Sequence, residues 1–224
     1  MNRRQDGFTL IEIAIVLVII GLLLGGVLKG QELITGARVR NIIQQQDGVK
    51  AAYFGFLDRY RALPGDYLNA TTTITGVAAV TGCTGNGDGD GQIEVAGAGT
   101  ATENILAWEH LSKAGFINGS YTCAATATAA SAPANPYGRY LNLIYDAAYA
   151  GTTPPTRHNL KTGGSIPSDI LAEIDRKVDD GSAIAGSFRA ATTDVDTTTT
   201  NCYTAAGVWV SNPGGTNCGG VTVF

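Results

Sequence analysis

The sequence predicts an α+β fold, a long amino-terminal helix packed on a small antiparallel sheet within a loop-rich head. Three observations carry that expectation. An unbroken apolar run fills residues 8–28, no proline occurs before Pro64, and beyond Pro64 short strand candidates are separated by Gly-, Ala- and Thr-rich stretches.

The composition narrows the class. Of 224 residues, 44% are hydrophobic and only 15% charged, against about 25% charged in ordinary soluble domains. Chains kept disordered by charge have the opposite balance. A polytopic membrane protein is excluded as well, because a single stretch is long and apolar enough to span a bilayer. The net charge of −4 is unevenly spread. Residues 1–63 hold eight basic and five acidic side chains, a net of +3, whereas residues 64–224 hold seven and fourteen, a net of −7. An acidic head without interleaved aromatic and basic residues argues against nucleic-acid binding.

The first element is the apolar half of the helix. Residues 8–28 read FTLIEIAIVLVIIGLLLGGVL, with Glu12 as their single ionisable group. At about 1.5 Å per residue this run crosses a hydrocarbon core of about 30 Å. A secretory signal has a shorter apolar run followed by a small-residue cleavage site; here the small residue, Gly7, precedes the run. Basic residues on both sides leave the orientation open. A carboxylate inside a membrane helix costs about 2.5–3.5 kcal/mol or more, which marks Glu12 as a functional candidate. A charge that snorkels to the interface and favours the positive end of the helix is the structural alternative.

The second half of the helix is amphipathic. Val39, Ile42, Gln46, Val49, Tyr53, Phe56, Tyr60 and Leu63 recur at three- and four-residue steps and form one face. Arg38, Gln44, Gln45, Lys50 and Arg59 lie off that stripe. The stripe predicts packing on the chain's own sheet rather than a coiled coil. Pro64 and Gly65 end the helix, giving a predicted span of residues 8–62.

The head, residues 63–224, follows. Helices are expected at residues 103–114 and 168–178, the second capped by Ser168 after Pro167. Strands are expected at residues 141–145, 208–210 and 221–224. The low-complexity stretches 124–134 and 192–200 read as exposed loops. Four cysteines, Cys83, Cys123, Cys202 and Cys218, include no CxxC pair, and no His spacing suited to zinc accompanies them. An even number beyond one membrane segment reads as two disulfides in an oxidising compartment. Of the three connectivities, the sequential pairs Cys83–Cys123 and Cys202–Cys218 are taken as the expectation. His110, in the predicted short helix, reads as structural, and His158, in a polar stretch, as solvated. No HExxH, GxSxG or GxxxxGK pattern occurs, so no enzyme is predicted.

Residues 86–94 read NGDGDGQIE. Asn86, Asp88 and Asp90 at alternate positions, followed by Gly91 and Ile93, match the first half of a calcium loop, with Gln92 and Glu94 as further oxygen donors. The twelfth position is Gly97 rather than a bidentate glutamate, and Glu103 is a distant replacement. A metal-free Gly/Asp turn is the competing reading. Calcium is the only cofactor the sequence suggests.

The string Arg3-Arg4-Gln5-Asp6-Gly7-Phe8-Thr9-Leu10-Ile11-Glu12 closely resembles the leader and processing site of type IV prepilins and pseudopilins. Ala62-Leu63-Pro64-Gly65-Asp66, Trp108-Glu109-His110-Leu111, Ala114-Gly115-Phe116-Ile117 and the run from Ile174 to Gly181 resemble recurrent strings of a type IV pilin head. The resemblance implies a pilin-like α+β architecture and a leader, residues 1–7, removed by a prepilin peptidase between Gly7 and Phe8. It implies N-methylation of Phe8, a cytoplasmic leader, and a head that is periplasmic before assembly and extracellular afterwards. It further implies that Glu12 of one subunit neutralises the Phe8 amine of a neighbour, since an unpaired charge in a protein-lined interior is costly and a close pair attractive. Cys202 and Cys218 bracket the tail as the disulfide-closed loop near a pilin's carboxyl end does. Many type IV pilins carry a proline midway through the apolar half. This chain has Gly21, Gly25 and Gly26 there instead, each weakening the helix by about 1 kcal/mol relative to Ala, so loosening in a fibre should centre on them.

The function so implied is that of a type IV pilus subunit. Its partners would be identical or homologous pilins, the prepilin peptidase and an inner-membrane assembly machinery. A pseudopilin of a type II secretion system is the near alternative. A periplasmic binding domain held by an uncleaved single helix is the distant one.

Overall fold

The computed structural model describes residues 9–80, 82–95, 102–193, 202–211 and 215–224. Two compact units divide between Arg38 and Val39. The first helix, α1 (Leu10–Tyr60), contributes to both.

In the first unit the described residues, 9–38, form a single helical segment with no buried position. Leu10, Ile11, Leu17, Leu22 and Leu28 are all exposed. Within it Lys29 pairs with Glu32 at 2.7 Å, both well exposed, a pair that adds little stability.

The second unit is α+β. Val39, Ile42, Gln46, Val49, Tyr53 and Phe56 of the predicted stripe are buried, with Ala52 beside them. Tyr60 and Leu63 pack against the same core from its rim. Arg61 closes α1 in a left-handed conformation at φ 54°, and Pro64 prevents its continuation. A single turn, α2 (Ala70–Thr73), leads to α3 (Glu103–Lys113) and α4 (Ser168–Val178). Four strands, β1 (Asn142–Asp146), β2 (Arg157–Lys161), β3 (Phe188–Ala190) and β4 (Gly220–Val223), form one antiparallel sheet in the order β1-β2-β4-β3.

Two apolar cores share the buried face of α1. Val49, Tyr53 and Phe56 meet Trp108 and Leu111 of α3 and Leu143 and Leu160 of the sheet. Val39 and Ile42 meet Ile170, Leu171 and Ile174 of α4, with Phe188, Trp209 and the Cys202–Cys218 bridge. The other bridge joins Cys83 to Cys123 beside Ile105 and Leu106.

Several elements differ from the expectation. Pro167, not Ser168, occupies the cap position of α4, and the Ser168 hydroxyl donates to the Val210 carbonyl. Residues 208–210 form no strand; Trp209 makes one isolated bridge with Tyr203. Strands β2 and β3, absent from the sequence reading, complete the sheet. His158 lies on β2, half-buried against Tyr53 and Tyr145, rather than in a solvated loop. Most of residues 124–134 are exposed, with Ser131 and Ala132 turned inward; of residues 192–200, only Thr192 and Thr193 are described.

Candidate functional site

Residues 82–94 wrap around the carboxylate of Asp66. The Gly89 N–H donates to Asp66 Oδ1 at 2.5 Å and the Gly91 N–H to Oδ2 at 2.9 Å. Glu103, the first residue of α3, receives the Asp88 N–H at 3.0 Å and the Glu94 N–H at 3.3 Å. Burial pushes the Glu103 carboxyl up to about 7, with the charges of Asp66 and Asp88 acting in the same direction. Asp66 is raised as well, chiefly by burial, against the two glycine N–H groups that favour its ionised form.

His110 fixes the loop to the helix stop. The Gly65 N–H donates to Nδ1 at 3.0 Å, so the ring proton sits on Nε2 and donates to the Gly85 carbonyl, also at 3.0 Å. Burial drives this imidazole down to about 4, so it is neutral at physiological pH. Gly65, at φ 95°, is required: a Cβ there would stand 2.4 Å from the Glu103 carbonyl oxygen.

The five calcium candidates are used unequally. The Asn86 side-chain oxygen accepts the Thr71 N–H at 2.9 Å. The Gln92 side chain donates to Asp90 at 3.0 Å, and Glu94 engages Glu103 through its backbone. Asp88 accepts the Asp90 N–H at 3.2 Å and Asp90 the Gln92 N–H at 2.8 Å; these two and Asp66 each offer one carboxylate oxygen within 4.8 Å of the others. That trio is a hard-cation donor set. Gly97 lies outside the described residues.

A second acidic run holds backbone N–H groups and the Trp209 indole. Asp175 accepts the Trp209 indole N–H at 2.7 Å and the Gly181 N–H at 3.2 Å. Asp179 accepts from Ser187 and Phe188, and Asp180 from Ser182. These contacts account for the Asp-rich string from Ile174 to Gly181 as a structural corner joining α4, β3 and the Trp209 loop.

At the amino-terminal end Thr9 and Glu12 form a capping box. Glu12 Oε2 accepts the Thr9 N–H and the Thr9 hydroxyl, each at 2.8 Å, and Thr9 Oγ1 faces the Glu12 N–H at 3.4 Å. Gly7 and Phe8 lie outside the described residues. Among the described residues α1 has the length and apolarity to cross a membrane, and its apolar stretch is not buried. Compared with known protein families, residues 2–28 match the prokaryotic N-terminal methylation motif. The chain carries the signature of type IV pilins and pseudopilins. No curated protein and no solved structure matches it.

The pilin signature covers the apolar helix and stops before the head. Within the head, sequence reasoning missed Asp66 as the centre of the acidic loop. It named Glu103 only as a distant ligand. No local pattern links Asp66 to Gly89; the signal was the Pro-Gly-Asp stop itself, which places a carboxylate just where the chain leaves the helix.

Proposed function

We propose that this chain is a structural subunit of a type IV pilus, cut between Gly7 and Phe8, N-methylated at Phe8, and polymerised through α1 with identical or homologous pilins. The observation that carries the reading is the wholly exposed apolar first half of α1, residues 10–28, which holds Glu12 and lies inside the methylation motif. Such a surface is stable only in lipid or against other helices. The subunit begins as a single-pass inner-membrane protein with a periplasmic head, meets the prepilin peptidase and assembly machinery there, and ends extracellular. The task is assembly rather than turnover, in keeping with the structural-subunit character of the pilin motif.

Two disulfides and the exposed Ala/Thr-rich stretch of residues 124–134 favour a surface pilus over a secretion pseudopilin. The proposal includes calcium at Asp66, Asp88 and Asp90, where an ion would neutralise converging carboxylates. Calcium should then raise the melting temperature of the wild-type chain and not that of Asp88→Asn.

The capping box makes the decisive experiment specific to Glu12. Glu12→Gln keeps the box, since Gln serves at that position, but removes the charge. The expected result is a processed, N-methylated chain starting at Phe8 that yields no sheared filaments. Normal filaments from Glu12→Gln would show that Glu12 acts as a helix cap. Wild-type chains still carrying Met1–Gly7 and confined to membranes would instead indicate an anchored domain.

A further inference from the structure

A cavity of about 310 Å³ opens on the face of the sheet turned away from α1, lined by Tyr149, Pro155, Arg157, Ser187, Arg189 and Val223. Strand alternation places it there. His158 and Thr222 face the helix, through the Tyr53 ring and the Gln46 side chain, so Arg157 and Val223 point the other way. Arg189 is in register with Val221 and shares that outer face.

The arginines are set differently. Arg189 is preorganised: its Nε donates to the Gly186 carbonyl at 2.9 Å, and its guanidinium lies over the Tyr149 ring, 5.5 Å from the centroid. Tyr149 is in turn buried, with its hydroxyl donating to the Pro155 carbonyl. Arg157, which also lines the cavity, is exposed. Among the described residues neither guanidinium has a carboxylate partner, although the head carries a net charge of −7. In contrast, the neighbouring Lys161 is buried and paired with Asp146 at 2.6 Å. Two guanidiniums facing one hollow, without a carboxylate partner among the described residues, offer planar N–H groups that match an oxyanion. Val223 and Pro155 add apolar surface, and the volume lies at the lower end of small-ligand sites.

We propose that this cavity binds a sugar-sized ligand bearing an oxyanion, a carboxylate or a phosphate, between Arg157 and Arg189. Access to it in a filament rests on the pilus reading, which turns α1 inward; binding by the unassembled chain does not.

The test is calorimetric titration of the full chain in detergent with glucuronate, glucose 6-phosphate and neutral glucose. Saturable binding of one or both charged sugars at or below about 1 mM is expected, with no saturation by glucose. Whichever charged sugar saturates identifies the oxyanion. Arg157→Gln, at an exposed position, and Arg189→Gln should each weaken binding at least about tenfold with unchanged circular dichroism. Equal binding of glucose, wild-type affinity in Arg157→Gln, or no saturation by either charged sugar would overturn the proposal. Because the unassembled chain is used, filament formation affects none of these outcomes.

Discussion

The Thr222 hydroxyl donates to the side-chain oxygen of Gln46 at 2.9 Å, joining β4 to the middle of α1 across a buried interface. The Gln46 Nε2 beside it has no hydrogen-bond partner among the described residues. Removing one side of a buried hydrogen bond costs more than removing both. Thr222→Val should therefore destabilise the head by about 1–3 kcal/mol, and the double variant with Gln46→Met by clearly less. Denaturant midpoints of the three variants and the wild type measure the coupling.

Glu103 and His110 give the acidic loop opposed pH dependences. The folded Glu103 titrates near 7 against 4.5 for the free group, so the folded state keeps a proton the unfolded chain has released. Its contribution is full below 4.5 and fades as pH rises through 7. The folded His110 titrates near 4 against 6.5, so its contribution is full above 6.5 and fades as pH falls toward 4. Between pH 7.5 and 5 the two nearly cancel in the wild type. Glu103→Gln should uncover the histidine and lose about 2 kcal/mol over that interval relative to the wild type. Chemical denaturation at the two pH values decides it; an unchanged difference would refute the opposition.

The bridges should differ in weight. Cys83–Cys123 closes a separation of 40 residues and Cys202–Cys218 one of 16. Chain-entropy arguments give about 4 and 3 kcal/mol respectively. Replacing each pair by alanine, with stability read in guanidinium, should reproduce that order.

Two glycines separate backbone conformation from crowding. Gly65 and Gly115 both have positive φ, 95° and 81°, but a Cβ at Gly115 would meet nothing within 4 Å among the described residues. Gly115→Ala should cost about 1 kcal/mol. Gly65→Ala must also displace the Glu103 carbonyl, and should cost several-fold more in thermal denaturation.

Helices were legible in the sequence because their periodicity records their burial. The three- and four-residue steps from Val39 to Phe56 map directly onto the buried face, and residues 168–178 were read at their observed bounds. Strand β2 was not legible, for a physical reason. Its inward residues His158 and Leu160 alternate with Arg157, Asn159 and Lys161, and the last two are buried by pairing with Asp146 rather than by apolarity. A buried polar network leaves no hydrophobic alternation to read. The acidic loop was half legible: Asp88 and Asp90 stood out by spacing, whereas Asp66 reaches them only through the fold.

The sheet order has a consequence for how the head is made. Strand β4 lies between β2 and β3 and is hydrogen-bonded on both sides, yet it follows the other described elements in the chain. Before it arrives, β1 and β2 can form only an isolated hairpin, which is marginal in water, and β3 has no neighbour. Synthesis therefore delivers a chain whose helices can dock early while its sheet waits for Gly220–Val223. A premature stop a few residues short of β4 would remove the centre of the sheet rather than its edge, leaving two exposed strand edges of the kind on which aggregation begins.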